Sequence, residues 1–156
     1  MPNILFVCGA NRFRSVLAAE RFRTLLEKKA ADGDWVVGSA GVWAREGIPP
    51  VKEAIQFATS MQINIENVRS REINEGLVSD ADLIIVMEDG QREAISLEFP
   101  HARKKTVLLS EVTLDQSFDI PDPVTSTEED PVGLGEEIFS LIDTGFEKIR
   151  SRVNIQ

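Results

Sequence analysis

The stretch NILFVCGANRFRS, residues 3–15, decides how the chain folds. Residues 3–7 are apolar and rich in β-formers, and glycine, alanine and asparagine follow within four positions. That pattern reads as a buried strand running into a tight turn. From Ser15 the period changes. Leu17, Ala18, Phe22, Leu25 and Leu26 recur at helical spacing between arginines and glutamates, with Ser15 at the helix start and Gly33 beyond its end.

The alternation continues outward from there. Residues 35–39 (WVVGS) read as a second strand, and Pro49-Pro50 opens a helix to about residue 61, because proline suits a first turn. Residues 82–87 (DLIIVM) form an unbroken apolar run, the mark of a central strand covered on both faces. A helix over 89–99 is halted by Pro100, and residues 106–109 (TVLL) give a fourth strand. Residues 118–131, rich in proline and aspartate, read as loop. Leu134, Ile138, Leu141, Ile142, Phe146 and Ile149 then mark a closing amphipathic helix. The expected architecture is α/β: a single three-layer domain over residues 1–156, its four-stranded parallel sheet covered by helices on both faces in a flavodoxin-like, doubly wound topology. Such sheets bind ligands beyond the carboxyl ends of their strands, at a topological switch point. The loop after the first strand lies at that edge.

Composition narrows the function classes. With 156 residues, 42% hydrophobic and 28% charged, the chain has ordinary globular usage and fits one domain, with no repeat or linker to divide it. No apolar run approaches the roughly 20 residues that cross a bilayer. Residues 1–15 have no basic segment before their apolar stretch and do not read as a signal peptide. A net charge of −9 argues against a nucleic-acid or membrane-surface binder. Residues 111–147 carry many acids and no lysine or arginine, which reads as a solvated face, or as a border that repels the wrong anions. The single cysteine excludes an internal disulfide framework and a cysteine-cluster metal site, and a lone thiol suits a reducing, cytoplasmic setting.

The loop Cys8-Gly9-Ala10-Asn11-Arg12-Phe13-Arg14-Ser15 lacks the Gly-Lys-Ser/Thr ending of a nucleotide-hydrolysing loop and the second and third glycines of a dinucleotide fingerprint. It offers a thiol at a strand end, small residues, and an arginine at a helix start. Successive N–H groups curling round a helix terminus make an anion cradle, here running from Gly9 and Ala10 through Asn11, Arg12 and Phe13 to Arg14 and Ser15. Arg14 can grip two phosphate oxygens with its fork. The same positive surroundings favour the Cys8 thiolate, the nucleophilic form, and the Ser15 hydroxyl can donate to it. Asparagine at position 11 tolerates the left-handed backbone that such a curl often needs. A free cysteine near a strand end is also commonly a small buried hydrophobe; the coincidence of thiol, arginine and serine at the expected ligand edge favours catalysis.

A cysteine nucleophile acting on phosphate needs an acid for the leaving oxygen and then a base for water. Asp119-Ile120-Pro121-Asp122-Pro123 supplies Asp122 between two prolines, with Asp119 as the fallback. Alone, Asp-Pro marks a turn; beside Cys8 and Arg14 it reads as the acid.

These pieces resemble the low-molecular-weight protein tyrosine phosphatase family over nearly the full length: FVCGANRFRS at 6–15, SAG at 39–41, ADLIIVM at 81–87 and IPDP at 120–123. The resemblance implies metal-free phosphomonoester hydrolysis without a cofactor, acting on a phosphorylated protein or a small aryl phosphate. By it Cys8 is the nucleophile, Arg14 the phosphate binder, Ser15 the thiolate stabiliser, Asp122 the general acid and Asn11 the residue that holds the loop's shape. The chain departs from the family pattern at Phe13, where a second cysteine is usual, at Ala10, where a glycine is usual, and at Val16, where a proline is usual. At position 12, where phosphotyrosine enzymes tend to have isoleucine and the phosphoarginine branch threonine, it has arginine. After Asp-Pro it has Val124 and Thr125 in place of aromatics.

Trp43 is a candidate aromatic wall for a flat leaving group, or a partly buried tryptophan; Val124 is a candidate cleft residue. Arg12 reads as a solvated charge, or as a second positive group at the mouth. His101, with no second histidine, reads as structural or solvated. The expected activity is a cysteine-dependent phosphatase for phosphotyrosine or phosphoarginine. The alternatives are an arsenate reductase resolved by an external thiol, and a phosphate-binding module with weak catalysis.

Overall fold

The computed structural model describes residues 1–29, 33–123 and 130–155. Four parallel strands, β1 (Asn3–Cys8), β2 (Val36–Gly41), β3 (Leu83–Val86) and β4 (Thr106–Leu108), form one sheet in the order β2-β1-β3-β4. The helices are α1 (Arg14–Lys28), α2 (Lys52–Ser60), α3 (Glu75–Asp80), α4 (Asp89–Glu98), α5 (Leu109–Leu114) and α6 (Pro131–Ile155), with a 3₁₀ turn over Pro100–Lys105. The α/β, doubly wound expectation holds. The chain leaves β1 for β2 on one side and returns to the other side for β3, so the switch point lies at the carboxyl end of β1.

Alternation along β1 divides the core. Ile4, Phe6 and Cys8 face one layer with Phe22 of α1 and Ile138, Ile142 and Phe146 of α6. Leu5 and Val7 face the other, with Val78 of α3, Ile95 of α4 and Phe99. Strand residues point alternately to opposite faces, so a strand covered on both sides has to be apolar throughout. β3 is fully buried for the same reason.

Most boundaries fall within a residue or two of expectation, and the differences have local causes. The helix expected from Pro49-Pro50 begins at Lys52, after the extended Val51. Pro100 stops α4, and the chain then tightens into the 3₁₀ turn with that proline at its start. Residue 109, expected in the fourth strand, opens α5 instead. Among the described residues no helix is long and apolar enough to cross a membrane.

Candidate active site

Cys8 is the last residue of β1, opposite Gly41 in β2, so the sheet delivers its thiol to the switch point. The chain then curls through Asn11, whose backbone is left-handed at φ 59°, and enters α1 at Arg14. Asn11 is buried, and its amide ties the loop on three sides. Nδ2 donates to the Ser15 hydroxyl at 2.8 Å and to the Ser39 hydroxyl at 3.0 Å, while Oδ1 accepts from the Arg71 N–H at 3.1 Å. The Arg71 N–H can meet only the oxygen, which fixes the amide's orientation. Gly41 lies against the Gly9 carbonyl and the Asn11 backbone, where a side chain would displace the loop. Trp43 lies across Gly9, and its backbone N–H donates to the Gly9 carbonyl. Among the described residues, the N–H groups from Gly9 to Ser15 have no backbone acceptor, so they remain open to an anion.

The Cys8 sulfur lies 3.0 Å from the Ser15 oxygen. That oxygen also accepts from Asn11, and its own O–H lies within donating distance of the sulfur. Arg14 enters from the first turn of α1. Its Nη1 donates to the Ile120 carbonyl at 2.8 Å and lies 3.0 Å from a Glu88 carboxylate oxygen; its Nη2 lies 3.6 Å from Asp122. The loop carrying Asp122 is fastened to the end of β3 by the Ile120 N–H on the Met87 carbonyl, 2.9 Å.

Cys8, Ala10, Arg12, Phe13, Arg14 and Asp122 line one narrow cavity. With Asp122 drawn toward Arg14, it measures about 10 Å³, room for one water-sized body. Cys8 is 2% exposed, at its floor. An entering oxyanion has to take over the side of the guanidinium that faces Asp122. A larger groove of about 690 Å³ lies beside α4, lined by Arg92, Ser96, Arg103 and Thr106 among others, and Cys8 and Asp122 are not among its lining residues.

Asp119, the fallback acid, accepts the Asp89 N–H at 2.9 Å and serves the start of α4, outside the cavity. Trp43 is 58% exposed, with its ring against Gly9, and it is not among the residues that line the cavity. Val124 lies outside the described residues. His101 is solvent-facing and 3.4 Å from Glu75. Two residues escaped the sequence reading. Glu88 meets Arg14, and the buried Gln91 holds Glu88: its Nε2 donates to the same carboxylate oxygen at 2.9 Å, and its Oε1 accepts the N–H groups of Met87 and Glu88, both at 3.0 Å. Their signal was positional, an acid directly after the central strand on the ligand edge.

A parallel sheet that presents a thiol inside a ring of free amides, with a buried arginine and an acid beside it, defines a phosphate-handling α/β enzyme of the cysteine type. The chain belongs to the low molecular weight phosphotyrosine protein phosphatase family, whose model matches residues 3–156. It is 33% identical to a protein-arginine-phosphatase of Geobacillus stearothermophilus over 97% of this chain and 99% of that one. It is 29% identical to the low molecular weight protein-tyrosine-phosphatase YfkJ of Bacillus subtilis, over 98% and 96%. The solved structure of a low molecular weight protein tyrosine phosphatase from T. tengcongensis superposes with a TM-score of 0.84 at 30% identity, over 95% of this chain and 99% of that one.

Proposed function

We propose that this family member is a metal-free, cysteine-dependent phosphatase that hydrolyses a phosphorylated protein side chain, phosphotyrosine first and phosphoarginine second, through a phosphocysteine. The observation that carries the reading is the single cavity lined by Cys8, Arg14 and Asp122. In the first step the Cys8 thiolate attacks phosphorus in line with the leaving atom. The S–P bond forms, the bond to the leaving group breaks, and Asp122 gives that group its proton. The Arg14 fork, once the oxyanion has taken over the edge that faces Asp122, and the amides from Gly9 to Ser15 hold the three equatorial oxygens. In the second step Asp122, now a carboxylate, takes a proton from water as the water attacks phosphorus, and the sulfur leaves as thiolate. Ser15 stabilises the sulfur anion in both steps.

The nearness of Asp122 to Arg14 supports hydrolysis over thiol-resolved arsenate reduction, in which that acid has less to do. Residues 1–156 act in this reading as one catalytic domain, in a reducing compartment such as the cytoplasm, where a lone thiolate survives. The test is phosphate release from para-nitrophenyl phosphate and from peptides carrying phosphotyrosine, phosphoarginine or phosphoserine, run beside thiol-dependent arsenate reduction. Turnover of the aryl phosphate with little arsenate reduction is expected. Arsenate reduction without phosphate release overturns the reading.

A further inference from the structure

A second groove runs off from the loop around Cys8. The Arg12 Nε donates to the Pro49 carbonyl at 2.9 Å, and the Arg12 carbonyl accepts the Val51 N–H at 3.1 Å. These bonds tie the wall of the cavity to the start of α2, which begins one residue later. Glu53, Gln56, Phe57 and Met61 recur at helical spacing and make one stripe along α2 and its C-terminal cap. With Val132 and Glu136, a turn apart at the start of α6, they line a groove of about 610 Å³. Phe57, 5% exposed, is its base. Gly135 packs on the Phe57 ring so closely that a β-carbon would lie 2.8 Å from it, and Phe139 meets that ring edge-on at 5.0 Å. The groove is therefore set between two helices that touch beneath it.

Its lining has two characters. Met61 and Val132 are 42% and 53% exposed, among the large apolar side chains that stand open to solvent. Glu53 and Glu136 bring two carboxylates, neither of them in an ion pair among the described residues. No lysine, arginine or histidine lines the groove. A side chain with an apolar stem and a cationic end satisfies both: the stem covers Phe57, Met61 and Val132, and the end meets the carboxylates. That is the chemistry of lysine and arginine. Residues 124–129, which lead into α6, contain neither. A second copy of a chain with net charge −9 would bring like charge to an acid-lined groove. The phosphorylated protein is the partner whose chain has to pass here. With its phosphoryl group over Cys8, its flanking residues run out beside α2. That helix has 9 residues and so spans about 14 Å. An extended peptide advances about 3.3 Å per residue, so a basic side chain within about six positions of the phosphorylated one reaches the groove.

We propose that this groove is a docking site for a lysine or arginine of the phosphorylated protein, a few residues from the phosphorylated side chain; this deepens the phosphatase reading above and rests on it. The experiment walks a single lysine through about six positions on either side of the phosphorylated residue in an otherwise alanine flank. Phosphotyrosine and phosphoarginine series are both run. At one or two positions lysine should raise kcat/KM by about five- to tenfold over alanine, through KM, the scale of an exposed ion pair with a covered stem. Raising salt from about 0.05 to 0.5 M should shrink that gain. The gain should fall in Glu53→Gln and in Glu136→Gln and vanish in the double variant. Reversing both charges, Glu53→Lys with Glu136→Lys, should make glutamate the favoured residue at the same positions. Para-nitrophenyl phosphate is too short to reach the groove, so every variant should hydrolyse it at the wild-type rate, which also shows that each has folded. A lysine gain at no position, or one that the double variant keeps, overturns the proposal. Dimers that form with rising concentration and that Val132→Glu dissolves, with no lysine gain, make the groove a self-association face and overturn it too. A wild type that hydrolyses neither a phosphopeptide nor para-nitrophenyl phosphate instead overturns the phosphatase reading, and this proposal with it.

Discussion

Arg14 and Glu88 form an ion pair at 3.0 Å in which one partner is inside the protein and the other at its surface: the arginine side chain is 3% exposed and the glutamate 38%. A guanidinium removed from water is costly unless its N–H groups are met. Nη1 is met by Glu88 and the Ile120 carbonyl, which turns the Nη2 edge toward Asp122 and the cavity. Glu88 thus orients Arg14, and Gln91, bonded to the same carboxylate, orients Glu88.

Replacing Glu88 with alanine is expected to loosen Arg14 and lower kcat/KM for para-nitrophenyl phosphate by about 10- to 100-fold, the scale of a misplaced binding group. Inhibition by inorganic phosphate should weaken in parallel, because the same fork grips it. Gln91→Leu should give a smaller loss of the same kind. If Glu88→Ala keeps wild-type inhibition by phosphate, the Ile120 and Asp122 contacts alone hold the arginine.

Substitution of Cys8 by serine should abolish turnover while phosphate and vanadate still bind, since the amides and Arg14 that make the cradle are untouched. Calorimetric titration of the variant with phosphate separates the two effects. Turnover that survives the substitution removes Cys8 as the nucleophile.

Asp122→Ala should slow hydrolysis by about 100-fold or more where the leaving group needs a proton, the usual worth of a positioned acid. Para-nitrophenolate leaves without help and should suffer least; phenyl phosphate should suffer most. A series of aryl phosphates of graded leaving-group basicity tests this, and a uniform loss along the series would show that Asp122 only supports its loop.

How much of the fold and site was legible in the sequence is a matter of range. β1, the loop and α1 were legible because an apolar run stops abruptly at Cys8 and a helical period begins a few residues later. Asn11 was legible through its tolerance of positive φ, the conformation it adopts. α3 and α5 span six residues each, too short to display a period, and α5 begins inside the apolar run that also makes β4. Glu88 was hidden because an ion pair between the first helix and the end of the third strand exists only once the sheet has brought β1 and β3 side by side. Trp43 was ambiguous from its residue type alone, which suits both a cleft wall and a partly buried support; its ring lies against Gly9 and is largely exposed.

The loop's shape depends on two separable properties of Asn11, and two substitutions divide them. Asn11→Ala removes three hydrogen bonds and puts alanine, which tolerates the left-handed backbone less well than asparagine, at φ 59°; at about 1 kcal/mol for each bond, a loss of roughly 2–4 kcal/mol is expected after partial relaxation. Asn11→Gly removes the same bonds but accepts the backbone angle, so it should be the more stable of the two in urea unfolding. Activity should not track that order. In both variants Ser15 loses the donor that holds its hydroxyl beside the Cys8 sulfur, so kcat should fall to a similar extent in each. If Asn11→Gly instead restores kcat along with stability, the backbone turn alone shapes the site and the amide's bonds to Ser15, Ser39 and Arg71 contribute nothing to chemistry.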